Sequence, residues 1–128
     1  MSGAVRTVLI ADDDPDIRRL IELAVQRAGF TVLASVGDGQ AALDAAAVQL
    51  PHLAILDVSM PQVTGLQVCA ALRAEHGDAL RVLILSANAE VSAVQAGLAA
   101  GADTYLPKPF ALRELRAKLG ELLADPVC

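Results

Sequence analysis

Aromatic residues and cysteines are scarce in this sequence. Of the 128 residues only 2% are aromatic and none is Trp, so the core has to be built from aliphatic side chains. The frequent Ala residues favour closely packed helices over a β-sandwich. The two cysteines, Cys69 and Cys128, match neither metal-site spacing nor a disulfide framework. These scarcities favour an α/β domain in a reducing compartment.

Basic residues and long apolar runs are also few. The chain has 10 Lys and Arg against 15 Asp and Glu, a net charge of -5, which argues against nucleic-acid binding by this chain. No apolar run reaches about 18 residues, which argues against a membrane span, and no signal-peptide pattern opens the chain. With 55% hydrophobic residues, we expect residues 1–128 to form a single cytoplasmic domain without an effector domain.

Short apolar runs alternate with helical patterns along the whole chain. Strands are predicted near residues 5–11, 31–35, 52–57, 81–86 and 103–106. The apolar faces predicted for the helices between and after them are Ile17, Leu20, Ile21, Ala24, Val25 and Ala28; Leu43, Ala46, Ala47 and Leu50; Val68, Cys69 and Leu72; Val91, Val94 and Leu98; and Leu112, Leu115, Leu119 and Leu122. This alternation predicts an α/β fold, a doubly wound five-stranded parallel sheet with helices on both faces, and we expect the flavodoxin-like strand order 2-1-3-4-5.

Four of the predicted strands have polar side chains at or just after their carboxyl ends. Asp12-Asp13 follows the first strand, Asp57 ends the third, Ser86 ends the fourth and Lys108 follows the fifth. Because the carboxyl ends of parallel strands meet at one edge, these groups should converge at the switch point between the first and third strands. Several carboxylates repel one another unless a divalent cation lies among them, and Mg²⁺ suits such ligands. A Lys and a hydroxyl suit phosphoryl oxygens, so the pattern predicts a Mg²⁺-dependent phosphoryl site.

The motifs around these residues resemble the receiver domain of two-component response regulators, and the resemblance covers essentially the whole chain. The matching pieces are Val8-Leu9-Ile10-Ala11-Asp12-Asp13-Asp14, Leu56-Asp57-Val58-Ser59-Met60-Pro61 with Gly65, Leu85-Ser86-Ala87, Gly101-Ala102-Asp103 and Lys108-Pro109-Phe110. The resemblance implies that Asp57 accepts a phosphoryl group from a phosphohistidine on a sensor histidine kinase or phosphotransfer protein. Such a domain catalyses its own phosphotransfer and dephosphorylation and is a signalling switch, not a conventional enzyme.

The same resemblance implies a role for each site residue. Mg²⁺ would be bound by Asp13, Asp57 and the backbone carbonyl of Ser59, with Asp12 assisting through water. The phosphoryl oxygens would be contacted by Ser86 and Lys108, and the Lys108-Pro109 bond would be cis.

The resemblance also implies a switch and an output surface. Ser86 and Tyr105 would change state on phosphorylation, and Ser59 and Asn88 would tune dephosphorylation. The fourth helix, fifth strand and fifth helix would carry the signal to a downstream effector or a homodimer partner. The alternative for Tyr105, a lone aromatic on a short strand, is plain core packing. His52 and His76 lie away from the predicted edge and receive no function.

Three other interpretations share parts of this pattern. A flavodoxin-type FMN binder needs a Ser-, Thr- and Gly-rich phosphate loop after the first strand, where this chain has Asp12-Asp13-Asp14. A haloacid-dehalogenase-like phosphatase has a second Asp two residues after the nucleophile, where this chain has Ser59. A pseudo-receiver, acting as a phosphorylation-independent protein-binding module, usually lacks the acceptor, a metal acid or the Lys, and all are present here.

Overall fold

Parallel strands and helices alternate through residues 6–87 and 91–123, the part of the chain that this computed structural model describes. The elements in chain order are β1 Thr7–Ala11, α1 Pro15–Arg27, β2 Thr31–Val36, α2 Gly39–Val48, β3 Leu53–Asp57, α3 Gly65–His76, a 3-10 turn at Gly77–Ala79, β4 Arg81–Ser86, α4 Val91–Ala99, β5 Thr104–Pro107 and α5 Leu112–Leu123. The predicted alternation is confirmed.

The five strands form one parallel sheet in the order β2-β1-β3-β4-β5. Every residue of β1 and β3 is buried, which explains why their sequences are continuous apolar runs without in-out alternation. Since the chain leaves β1 toward β2 on one side and returns to β3 on the other, the switch point lies between β1 and β3, as predicted.

Helices cover both faces of the sheet and enclose two core layers. On one face, α2 and α3 pack with alternate sheet residues such as Leu56 and Ile84, and Gly97 of α4 lies over Ile84. On the other face, α1 and α5 pack with residues such as Ile55 and Leu83. The fully buried residues of both layers include no aromatic side chain, and Phe30, Tyr105 and Phe110 are only partly buried against them. Among the described helices, none has the length and apolar character of a membrane span.

The predicted start of α1 is confirmed in detail. The Asp14 carboxylate accepts hydrogen bonds from the backbone N–H groups of Asp16 and Ile17, and Pro15 occupies the first helical turn. After the helix, Gly29 adopts a φ of 91°, a left-handed conformation that glycine takes without steric cost. This capped helix leads directly away from the Asp12-Asp13 pair at the end of β1.

Some sequence predictions were wrong at the margins. Four residues assigned to buried helix faces are exposed, namely Leu20, Ala47, Leu98 and Leu112. Leu20, for example, lies about 60° around the helix from Ile17 and falls outside the covered stripe. β5 extends to Pro107, which was assigned to a loop, because proline is tolerated on an edge strand. The side chains of Val91 and Val94, and all of Asn88, lie outside the described residues.

Candidate functional site

The carboxyl edge of the sheet gathers the side chains that the sequence singled out. Asp12 and Asp13 directly follow β1, while Asp57 and Ser86 are the last residues of β3 and β4. Lys108 directly follows β5, and its backbone N–H donates to the Ser86 carbonyl at 2.8 Å. The sheet order therefore brings residues from distant parts of the sequence into one site.

Lys108 joins the two buried acids of this site. Its Nζ lies 2.8 Å from Asp12 Oδ2 and 3.3 Å from Asp57 Oδ1, and the ammonium is largely shielded from solvent. The peptide bond between Lys108 and Pro109 is cis, as the resemblance implied. The ammonium is thus held between the acid after β1 and the acid that ends β3.

Asp12 is fully buried, and all its polar groups have protein partners. Its carboxylate accepts from the Asp14 backbone N–H at 2.9 Å as well as from Lys108, and its carbonyl accepts from Arg18 Nη1 at 2.8 Å. Its own N–H donates to the Val36 carbonyl. The resemblance implies that Asp12 assists Mg²⁺ through water, and the structure adds a direct contact of this carboxylate with Lys108.

Burial dominates the electrostatics of Asp57, which is 2% exposed. Burial and then the neighbouring charge of Asp12 raise the pKa of the Asp57 carboxyl, while Lys108 and the Ser59 backbone N–H partly offset them. For Lys108, burial opposes the charged form, but the hydrogen bond to Asp12 and the charge of Asp57 outweigh it and raise the pKa of the ammonium. The site thus combines a buried carboxylate with a firmly protonated lysine.

The acids are spaced closely enough to share a divalent cation. Ligand oxygens of Asp12, Asp13 and Asp57 all lie within 4.8 Å of one another, and Asp13 is exposed to solvent. Two oxygens bound to one octahedral Mg²⁺ lie about 3 to 4 Å apart, so small side-chain rotations would bring these carboxylates into range. An all-oxygen donor set with a solvent-exposed side fits Mg²⁺, which keeps several waters.

The loop after Asp57 is held close to the strand by a glycine. A Cβ on Gly65 would lie 2.2 Å from the Asp57 carbonyl oxygen, so no larger residue fits without a shift. Backbone N–H groups of Met60 and Gly65 both donate to the Val58 carbonyl. Ser59 is exposed, and its N–H donates to Asp57 Oδ1 at 3.3 Å, which places its backbone beside the predicted acceptor.

The predicted switch residues occupy neighbouring strands. Ser86 is buried at the end of β4, and Tyr105 on β5 pairs in register with Ile84. The Tyr105 side chain is half-buried and packs against the core layer beneath α2 and α3. Asn88, which with Ser59 is predicted to tune dephosphorylation, lies outside the described residues.

Arg73 was not singled out from the sequence, yet it binds across several elements. Its guanidinium donates to the carbonyls of Gly77, Leu80 and Gly101 and to the Asp103 carboxylate. Asp103 also accepts from the Val82 backbone N–H at 2.7 Å. These bonds fix the turn before β5, but no local pattern in the sequence signals them.

Comparison with known proteins agrees with this geometry. The family model for the response regulator receiver domain matches residues 8–120. The response regulator MprA of Mycolicibacterium vanbaalenii is 46% identical over 116 residues, covering 91% of this chain and 49% of that protein. The corresponding MprA of Mycobacterium avium is also 46% identical, covering 91% of this chain and 50% of its own length. This chain therefore spans about half the length of the curated relatives it matches.

Solved structures show the same fold. The chemotaxis protein CheY4 of Vibrio cholerae superposes with a TM-score of 0.85 at 32% identity, covering 94% of this chain and 100% of that chain. The receiver domain of the Francisella response regulator 1452 gives a TM-score of 0.83 at 31% identity, with 91% and 95% covered. The sheet order, the cluster of acids with Lys108 at the carboxyl edge, and the family match over residues 8–120 all agree. This chain therefore belongs to the response regulator receiver domain family of two-component signalling.

Proposed function

We propose that Asp57 accepts a phosphoryl group from a phosphohistidine of a sensor histidine kinase or phosphotransfer protein in a Mg²⁺-dependent reaction. The observation that carries this proposal is the contact of Lys108 with both Asp12 and Asp57 beside the exposed Asp13. An acceptor carboxylate, further acids for a cation and a cation for the phosphoryl oxygens are the parts that such a transfer needs.

In the proposed transfer, a carboxylate oxygen of Asp57 attacks phosphorus. The other ring nitrogen of the donor imidazole carries a proton, so when the bond from phosphorus to its phosphorylated nitrogen breaks, the electron pair returns to the ring and neutral imidazole leaves. The products are an acyl phosphate on Asp57 and a free histidine on the donor. Negative charge moves from the Asp57 carboxylate to the phosphoryl oxygens, and Lys108, whose Nζ lies 3.3 Å from Asp57 Oδ1, can follow it with little movement.

Asp13 and Asp57, with the backbone carbonyl of Ser59, are the groups that would hold Mg²⁺. A bound Mg²⁺ would supply positive charge that offsets the repulsion between the acids and the incoming phosphoryl group. Asp12 would assist in holding Mg²⁺ through water, and its bond to Lys108 would also orient that ammonium. The protein's contribution is then positioning and electrostatic stabilisation, which is the usual division of labour in phosphoryl transfer.

Phosphorylation of Asp57→Asn tests this proposal directly. The amide keeps the shape of the side chain but is not the nucleophile that the reaction requires, so incubation with acetyl phosphate and Mg²⁺ should give no phospho-adduct by intact-mass analysis. Asp78→Asn is the matched control, because Asp78 is exposed in the turn before β4, at the opposite edge of the sheet. A stable adduct on Asp57→Asn equal to that of the control would place the acceptor elsewhere.

We further propose that Ser86 and Tyr105 form the switch, with Ser59 and Asn88 tuning loss of the phosphoryl group. Ser86 and Tyr105 lie on adjacent strands, so movement of one changes the space beside the other. With Mg²⁺ and beryllofluoride, amide chemical shifts should change at Ser86 and along α4 and β5 more than on the outer face of α1. Changes confined to the loops around Asp57 would place the output on another surface.

The surface formed by α4, β5 and α5 is the proposed contact for a downstream effector or a second copy of the chain. We also propose that residues 1–128 make one receiver domain that works in the cytoplasm. Nothing in the described residues favours the alternative of a phosphorylation-independent binding module, because acceptor, metal acids and Lys108 are all present in one cluster.

A further inference from the structure

Gly39, the first residue of α2, is buried directly against the loop that follows Asp57. A Cβ built on Gly39 would lie 2.2 Å from the Val63 carbonyl oxygen, 2.8 Å from Val63 Cβ and 2.9 Å from Val63 C. Two of these three atoms belong to the backbone, which cannot turn aside as the end of a flexible side chain can. Any side chain at this position therefore has to displace either α2 or the loop.

Glycine is required at position 39 for steric reasons and not for its backbone conformation. The described glycines with positive φ are Gly29, Gly77 and Gly101, and Gly39 is not among them. Its backbone conformation is thus open to other residues, and Ala would be the better helix former. The close approach of Val63 is what excludes a side chain.

Of the two segments, the start of α2 is the more firmly held. The Asp38 carboxylate caps the helix by accepting from the Ala41 N–H at 2.7 Å. Just before it, the Val36 carbonyl at the end of β2 accepts from the Asp12 N–H at 3.1 Å, which ties this region to the acid that binds Lys108. The opposing loop is anchored at the buried Met60 and at Thr64, which caps α3, but Pro61 and Gln62 between them are exposed, with Gln62 at a φ of 64°. The loop should therefore be the segment that moves.

We infer that Gly39 is a positioning residue for the phosphoacceptor site, because its lack of a side chain lets the loop carrying Ser59 settle beside Asp57. This inference rests on the proposed function, in which the Ser59 carbonyl helps to hold Mg²⁺. Ser59 N–H already bonds Asp57 Oδ1 at 3.3 Å, so displacement of the loop alters both the acceptor's orientation and the cation ligand. Groups that support a metal ligand from outside typically change affinity or activity by about 10- to 100-fold when they are altered.

The test compares Gly39→Ala with Gly120→Ala in the full chain. Gly120 lies in α5, and a Cβ built on it would meet nothing within 4 Å, so it controls for adding a methyl group to a helical glycine. Mg²⁺ affinity is measured by calorimetry, loop position by amide chemical shifts of residues 57–65 without metal, and phosphorylation by acetyl phosphate as a function of Mg²⁺ concentration. We expect Gly39→Ala to weaken Mg²⁺ binding about tenfold, with shifted loop amides and phosphorylation partly restored at high Mg²⁺.

Val63→Gly approaches the same contact from the other side. Removing this side chain leaves the loop free to move relative to Gly39, so Mg²⁺ affinity should fall in the same direction even if Gly39→Ala fails to fold. Wild-type Mg²⁺ affinity in folded Gly39→Ala, or in Val63→Gly if the first variant does not fold, would overturn this inference alone. A wild-type chain that binds no Mg²⁺ and accepts no phosphoryl group would overturn the proposed function and this inference together.

Discussion

Asp57→Asn should stabilise the fold while removing the proposed acceptor. Burial and the charge of Asp12 raise the pKa of the Asp57 carboxyl, so the folded state binds this proton more tightly than the unfolded chain does. An ionised Asp57 therefore lowers the free energy of unfolding at neutral pH. The amide carries no charge and keeps an oxygen that can accept from the Ser59 N–H.

The size of this effect follows from opposing interactions at short range. With an effective dielectric constant of about 20, Lys108 at 3.3 Å attracts the Asp57 carboxylate by about 5 kcal/mol. Asp12 within 4.8 Å repels it by at least about 3.5 kcal/mol, and burial adds a penalty of several kcal/mol. Since these contributions largely cancel, we expect Asp57→Asn to raise the free energy of unfolding by about 1 to 2 kcal/mol. In a domain of this size that corresponds to a rise in melting temperature of roughly 3 to 10 °C.

The pH dependence gives the sharper assay. Urea unfolding of wild type, Asp57→Asn and the exposed control Asp78→Asn is compared from about pH 8 to pH 4. The gain in free energy of unfolding of Asp57→Asn over wild type should be complete above the folded-state pKa of Asp57. This gain should shrink as the pH falls toward 3.8, the ordinary carboxyl value, because protonated Asp57 is then neutral like the amide. A variant less stable than wild type at neutral pH, or an advantage that does not shrink on acidification, would refute this reasoning.

Three further predictions concern other parts of the molecule. Asp13→Ala should weaken Mg²⁺ binding, measured by calorimetry, and slow phosphorylation in Mg²⁺, and an unchanged rate would contradict the metal assignment. Arg73→Met should lower the free energy of unfolding by about 1 to 3 kcal/mol in denaturant titrations, because three carbonyls lose this donor and the Asp103 carboxylate keeps the Val82 N–H and Arg81, whereas the exposed Arg19→Met should change it little. Gly97→Ala should raise the free energy of unfolding by about 0.5 to 1 kcal/mol in the same titrations, because the added Cβ would meet the Ile84 side chain at an ordinary 3.8 Å. A loss of stability would show that α4 has no room for this methyl group.

The fold was predictable because its information is local. Each strand is a short apolar run, and helix starts such as Asp14-Pro15 carry their own cap. Once the strands alternate with helices, the strand-end positions of Asp57 and Lys108 follow from topology. The sequence alone therefore indicates that these side chains meet at one edge of the sheet.

The details that the sequence did not indicate depend on contacts between distant segments. The bond between Asp12 and Lys108 joins residues that each had another expected role, and only the geometry shows that they bind each other directly. Arg73 meets Asp103 across 30 positions, and Gly39 meets Val63 across a helix and a strand. No periodicity or motif encodes such pairs, because they depend on how neighbouring elements pack.

The 96 positions between Asp12 and Lys108 have a consequence for synthesis of the chain. A growing polypeptide can form β1, β2 and β3 and present Asp57 well before residue 108 leaves the ribosome, yet the ammonium that balances Asp12 and Asp57 is then still missing. Contacts of such long sequence separation form late, because their loop-closure entropy has to be offset by structure already made. On the proposed function, an unfinished chain would thus expose paired acids that repel a phosphoryl donor, and only completely folded molecules would be competent for transfer.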